Sequence, residues 1–96
     1  MSYSSNLITV NGLLYTWEII REEKNGITEI AVWTDNNQLI CDIELNSRTH
    51  IGEVSYRDNI MVESVNYQKY LQDISTLNSE KSAMANLVSW AIDLEE

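Results

Sequence analysis

Thiol–imidazole catalysis in this chain would have to pair Cys41 with His50, its one cysteine and its one histidine. The pair would need the thiol within hydrogen-bonding reach of the imidazole, in a cleft that lowers the thiol pKa. Cys41 lies between Leu39 and Ile43 in an alternating apolar run, where a buried cysteine behaves as a small hydrophobe. His50 follows in a polar stretch beside Ser47, Arg48 and Thr49. That placement argues against a catalytic pair. Structural zinc normally takes four Cys or His ligands, twice what the chain offers. Gly12, Gly26 and Gly52 match neither the P-loop nor the dinucleotide pattern. A carboxylate row could draw calcium or magnesium, but Asp35-Asn36-Asn37-Gln38 is too short for an EF-hand loop and serves better as a turn. Acid pairs such as Glu22 and Glu29 fall on an open strand face without a cleft to desolvate them. The expectation is a protein with no catalytic residue, no cofactor and no metal.

Charge points elsewhere. Fifteen acids against six bases give a net charge of −9 over 96 residues. Such a field repels nucleic acid and anionic membrane and attracts basic proteins. With 44% hydrophobic and 22% charged residues, the composition suits one folded domain spanning residues 1–96. A single cysteine fits a reducing compartment. Residues 1–6 carry neither a basic region nor a long apolar stretch, and no segment approaches the roughly 20 apolar residues of a membrane span. These features predict a cytoplasmic protein without membrane contact or direct nucleic-acid binding.

The elements follow from turn chemistry. Asn11-Gly12, Asn25-Gly26 and Asn36-Asn37 each separate runs rich in β-branched and aromatic residues. Asn-Gly in that setting signals a type I′ hairpin turn, which needs positive φ at both central positions. Counted as two-residue loops, the turns oppose Ile8 to Tyr15, Ile19 to Val32, Arg21 to Ile30, Thr34 to Leu39 and Val32 to Cys41. One face then collects Ile8, Val10, Leu13, Tyr15, Trp17, Ile19, Ile30, Val32, Leu39, Cys41, Ile43 and Leu45, almost wholly apolar. A four-stranded antiparallel meander over residues 7–45 results. Residues 51–56 read as a fifth strand, and Asp58 or Asn59 as a cap for a helix beginning between 60 and 66, while the β-branched Ile60, Val62 and Val65 also permit a further strand. Tyr67, Tyr70, Leu71, Ile74 and Leu77 recur at helical spacing. A second helix starts near Ser79, with the stripe Met84, Leu87, Val88, Ala91 and Leu94 and a frayed last turn. Two amphipathic helices and a one-sided sheet bury each other's apolar faces. The fold class is therefore α+β: an antiparallel four- to five-stranded β-meander in the N-terminal half, with two C-terminal α-helices packed on one face.

The same register assigns Glu18, Ile20, Glu22, Glu29, Trp33, Ile40, Asp42 and Glu44 to the opposite face. Glu22, Glu29 and Glu44 form a cross-strand row with neighbours about 5 Å apart, beside a cluster of Ile20, Trp33 and Ile40. Apolar residues around a large aromatic, ringed by carboxylates, have the composition of an interface centre with a charged rim. The sequence thus points to a non-catalytic acidic module docking a basic surface of a partner protein, as an inhibitor, immunity protein, nucleic-acid mimic or regulatory subunit. Two alternatives stand beside it. One is a structural domain forming a homodimer through Trp33 or an open strand edge. The other is a small ligand-binding domain or enzyme with a pocket at His50 or Cys41.

Overall fold

In a computed structural model, which describes residues 5–58 and 62–95, each Asn-centred turn reverses the chain into a hairpin. The strands are β1 (Asn6–Val10), β2 (Leu13–Glu22), β3 (Ile27–Thr34), β4 (Leu39–Asn46), β5 (Ile51–Tyr56) and β6 (Val62–Ser64). They form one open antiparallel sheet in the order β1-β2-β3-β4-β5-β6. Two helices follow, α1 (Tyr67–Leu77) and α2 (Glu80–Glu95). The α+β class and the helices after the meander agree with the sequence reading. The strand count is six, not four to five.

The first turn is as the dipeptide dictates. Asn11 and Gly12 sit at φ 53° and 81°, and Val10 opposes Leu13 while Ile8 opposes Tyr15. The other two are longer than two residues. Between β2 and β3 the Glu23 N–H donates to the Ile27 carbonyl and the Gly26 N–H to the Glu23 carbonyl, closing a wider loop. Ile19 therefore opposes Ile30, and Trp17 opposes Val32. This is a slip of two residues from the two-residue count, and an even slip leaves every side chain on its face. Between β3 and β4 the Asn37 N–H bonds the Thr34 carbonyl and the Thr34 N–H bonds the Gln38 carbonyl, so Asp35–Asn37 form a three-residue loop with Asn37 at φ 62°.

Each longer turn is accompanied by a β-bulge. In β2 the register steps between Ile19 and Arg21, leaving Ile20 as the extra residue. The β3–β4 register likewise steps between Val32 and Trp33, so Trp33 opposes Leu39 and Ile40 is the extra residue. A bulge changes register by one, so it exchanges faces for whatever lies beyond it. These exchanges shape the outer face.

Residues 51–56 form the expected fifth strand. The stretch after it does not open a helix within its described part: Val62–Ser64 pairs with β5 as a sixth strand, whereas the proposed cap Asn59 and helix start Ile60 lie outside the described residues. Helix α1 begins at Tyr67, where the Asn66 side-chain oxygen accepts the Lys69 N–H at 3.1 Å. It ends at Asn78, held in the left-handed region at φ 50° in the place glycine usually takes. Ser79 caps α2 through the Ser82 N–H at 3.1 Å. The helix continues through Glu95, beyond the fraying expected from the acidic tail.

The helices cover one sheet face. Trp17, Ile30, Val32, Cys41, Ile43, Leu45, Val54 and Tyr56 are buried against Tyr67, Tyr70, Ala83, Met84, Leu87, Val88, Ala91 and Ile92. The Tyr56 hydroxyl donates to the Ala91 carbonyl at 2.7 Å, which ties β5 to α2 inside this core. Leu13, Leu77 and Leu94, placed on apolar stripes by their spacing, are exposed at the ends of their elements.

Gly52 faces Leu45 across β4–β5, and a Cβ built there would lie 2.8 Å from Leu45 Cδ2 and 2.9 Å from Val65 Cβ. The close approach of the segment after β6 requires that missing side chain. Gly52→Ala is expected to cost about 1–3 kcal/mol through overpacking, read from the urea unfolding midpoint; unchanged stability would show that Val65 does not pack there.

Candidate functional site: the uncovered face of the sheet

Alternation along the strands leaves the second face of the sheet without helices, and cross-strand pairing orders it into rows. One row runs Arg21, Glu29, Glu44, Glu53 and Ser64 across β2 to β6. The next runs Glu18, Ala31, Asp42, Ser55 and Val62. A third runs Leu7, Thr16, Trp33 and Leu39.

The sequence-derived row survives with one member exchanged. Glu29 and Glu44 are opposed as expected, and the row extends to Glu53. Glu22 is not in it. Because Ile20 is the bulged residue, Arg21 crosses from the predicted core side to oppose Glu29, and Glu22 opposes Thr28 instead. Thr28 in turn opposes buried Leu45, so Glu22 belongs to the helix-covered side, where it borders a crevice with Trp17, Ile19, Glu80 and Met84.

The apolar cluster is corrected for the same reason. Ile40, extra in β4, packs against the core, and Leu39 takes the place beside Trp33. Ile20 is 43% exposed and has no opposed partner in β3. Trp33 is half-buried and, with Ser5, Thr16, Glu18 and Asn37, borders a shallow depression. Glu18, Asp42 and Glu44 lie where the sequence put them. Five of the eight candidate residues therefore share the outer face as expected: Glu18, Glu29, Trp33, Asp42 and Glu44.

Like charges directly opposed destabilise a sheet, and Arg21 offsets that in the carboxylate row. Its guanidinium reaches Glu29 Oε1 at 3.2 Å, Glu44 Oε2 at 3.1 Å and Glu23 Oε1 at 2.9 Å. The planar five-donor fork can serve three acceptors at once, which an ammonium on a single point would do less well. Each pair is solvated, so each contributes only a few tenths of a kcal/mol. Glu53 opposes Glu44 with no ion pair among the described residues. Five carboxylates (Glu18, Glu29, Asp42, Glu44, Glu53) and one guanidinium leave this face strongly negative. Ala31, 1% exposed, separates Glu18 from Asp42 in its row.

Burial raises the Asp42 carboxyl above its ordinary 3.8. Asp42 is thus a charge the folded face holds at a cost.

The structure does not bring Cys41 and His50 together. Cys41 is sealed in the core at 1% exposure. His50 lies beyond the Asn46 end of β4, five steps or about 16 Å further along the strand direction, and stacks in the open on Tyr67 at a centroid distance of 5.0 Å. Among the described residues no group of three His, Cys, Asp or Glu side chains is placed to hold a metal ion. Among them, too, no helix is long and apolar enough to cross a membrane.

Sequence reasoning missed Glu53 and Leu39 as outer-face residues. The signal for Glu53 was present in the alternation of Glu53, Val54, Ser55 and Tyr56; the signal for Leu39 was not, because bulges have no dipeptide signature. Comparison with known proteins found no match, whether among protein families, curated proteins or solved structures.

The raised Asp42 carboxyl has a defined pH consequence. A carboxyl that holds its proton more tightly in the folded state contributes stability that is full below 3.8 and lost as pH rises through the raised folded value. Asp42→Asn is therefore expected to shift the urea midpoint upward at neutral pH and to leave it unchanged at pH values below that window. A downward shift at neutral pH would mean that Asp42 is favourably paired instead.

Proposed function

We propose that this protein is a non-catalytic binding module whose uncovered sheet face docks a basic surface of a partner protein. The observation that carries the reading is the coincidence, on one face, of five carboxylates with Trp33 and Leu39. A monomer has no structural need to hold Glu44 opposite Glu53, or Asp42 in a desolvated position. Both are costs in the free protein that a cationic partner would turn into gains. Carboxylates steer the encounter over a range set by ionic strength, and Trp33 supplies a rigid amphipathic anchor at modest entropic cost. Inhibitor, immunity, mimic and regulatory roles all share this physical act. Support also comes from the distribution of bases: Arg21 is the one Lys or Arg within the paired strand rows of this face, and its charge is already consumed.

A defined probe tests the reading: a peptide alternating Lys or Arg with Leu, titrated calorimetrically at several salt concentrations. Affinity is expected to fall steeply with salt. Glu53→Lys should weaken it about tenfold, equivalent to ~1.4 kcal/mol, while stabilising the free protein by a few tenths of a kcal/mol through relief of the Glu44 repulsion. Glu80→Lys makes the same change in net charge at the start of α2 and should leave binding nearly intact. Equal losses for both variants would reduce the interaction to bulk charge and remove the basis for a specific face.

A further inference from the structure

An open sheet has two edges, and this chain treats them differently. Edge strands expose unpaired main-chain groups, so monomeric proteins blunt them by keeping them short or by placing charge or proline on them. Strand β6 follows that rule, with Glu63 at the centre of its described residues Val62–Ser64. Strand β1 does not. It runs five residues, Asn-Leu-Ile-Thr-Val, without charge or proline. Residues 1–17 contain no Asp, Glu, Lys, Arg or His at all, so all fifteen acids and six bases lie further along the chain. The same hairpin exposes Leu7 at 72%, Leu13 at 57% and Leu14 at 44%.

We infer that β1 pairs antiparallel with β1 of a second copy of this chain, across a twofold axis at Ile8, to form a continuous twelve-stranded sheet. The charge distribution selects that occupant. Two copies at net charge −9 repel through most of their surface. The stretch from Asn6 to Trp17, all of β1 and the first half of β2, carries no charged side chain, so repulsion is least there. A basic partner, by contrast, gains nothing from an uncharged edge.

Main-chain geometry fixes the register. In a two-residue hairpin Val10 and Leu13 exchange hydrogen bonds, so Val10, Ile8 and Asn6 direct their N–H and C=O groups toward β2. Leu7 and Thr9 therefore direct theirs outward. With the axis at Ile8, Leu7 of each copy opposes Thr9 of the other, giving four main-chain hydrogen bonds. On the outer face this joins the two apolar ends: Leu39, Trp33, Thr16 and Leu7 of one copy continue into Thr9 and Leu14 of the other. On the inner face, Ser82 and Ala85 of α2 border the groove beside Leu7 together with Lys81, whose charge would face the acidic surface of the other copy. The dimer does not depend on the basic-partner reading, and either can fail alone.

Sedimentation equilibrium over a concentration series up to the millimolar range, joined to amide hydrogen exchange, tests it. The wild-type chain is expected to reach twice its 11.1 kDa mass, with the Leu7 and Thr9 amides protected only in the dimer. Thr9→Pro removes an outward N–H that β2 does not use, so it should abolish dimerisation while keeping the far-ultraviolet circular dichroism. Should that variant fail to fold, Leu7→Lys carries the test, with an expected rise of at least tenfold in the dissociation constant and rapid exchange at Thr9. A wild-type monomer throughout the series, or a dimer indifferent to Leu7→Lys, would overturn the inference.

Discussion

Two helices can cover one face of a six-stranded sheet and no more, and the remaining features follow from that limit. Every strand from β1 to β5 must present apolar side chains to α1 and α2 on one side and survive solvent on the other. Burial supplies the drive, since Trp17, Ile30, Val32, Ile43, Val54 and Val88 are essentially excluded from water. The outer face is what that burial leaves over. Its chemistry is therefore free of packing demands, and here it has been filled with carboxylates.

Bulges reconcile the alternation with the turns. A wide β2–β3 loop and a three-residue β3–β4 loop would each throw strands out of phase if the ladder stayed regular. Releasing Ile20 and Ile40 as extra residues restores the core pairing of Ile19 with Ile30 and of Val32 with Cys41. The first bulge also has an electrostatic effect. It brings Arg21 into the ladder in place of Glu22, so a row that would have held four opposed acids holds three acids and the guanidinium that bridges two of them. The second seats Leu39 beside Trp33. Local backbone irregularity thus sets the composition of the surface that is open to a partner.

The legible part of this fold was whatever depends on parity. A two-residue error in the β2–β3 register left Ile30, Val32, Glu29 and Trp33 on their correct faces because side chains alternate with period two. Turn chemistry at Asn11-Gly12 and the cap at Ser79 were also readable, since each rests on a local hydrogen-bond or φ requirement; the cap at Asn66 was passed over in favour of Asp58 or Asn59. What escaped depends on single-residue slips and on distant packing. Ile20 and Ile40 look like ordinary members of alternating runs, and nothing adjacent to them marks a bulge. Strand β6 was permitted by the β-branched Val62 but not favoured, because Val62–Ser64 carries too little pattern to outweigh a nearby helix signal. Gly52 looked solitary in the sequence, and its reason, the approach of Leu45 and Val65, exists only after folding.

The central claim is that the side of the sheet away from the helices is the recognition surface. Heteronuclear NMR of the labelled protein, titrated with the Lys- or Arg-alternating peptide, addresses it residue by residue. The expected result is a contiguous set of perturbed amides and side chains at Glu18, Glu29, Trp33, Asp42, Glu44 and Glu53, with α1 and α2 unmoved. Perturbations concentrated on the helices, or spread evenly over every exposed acid, would contradict the account.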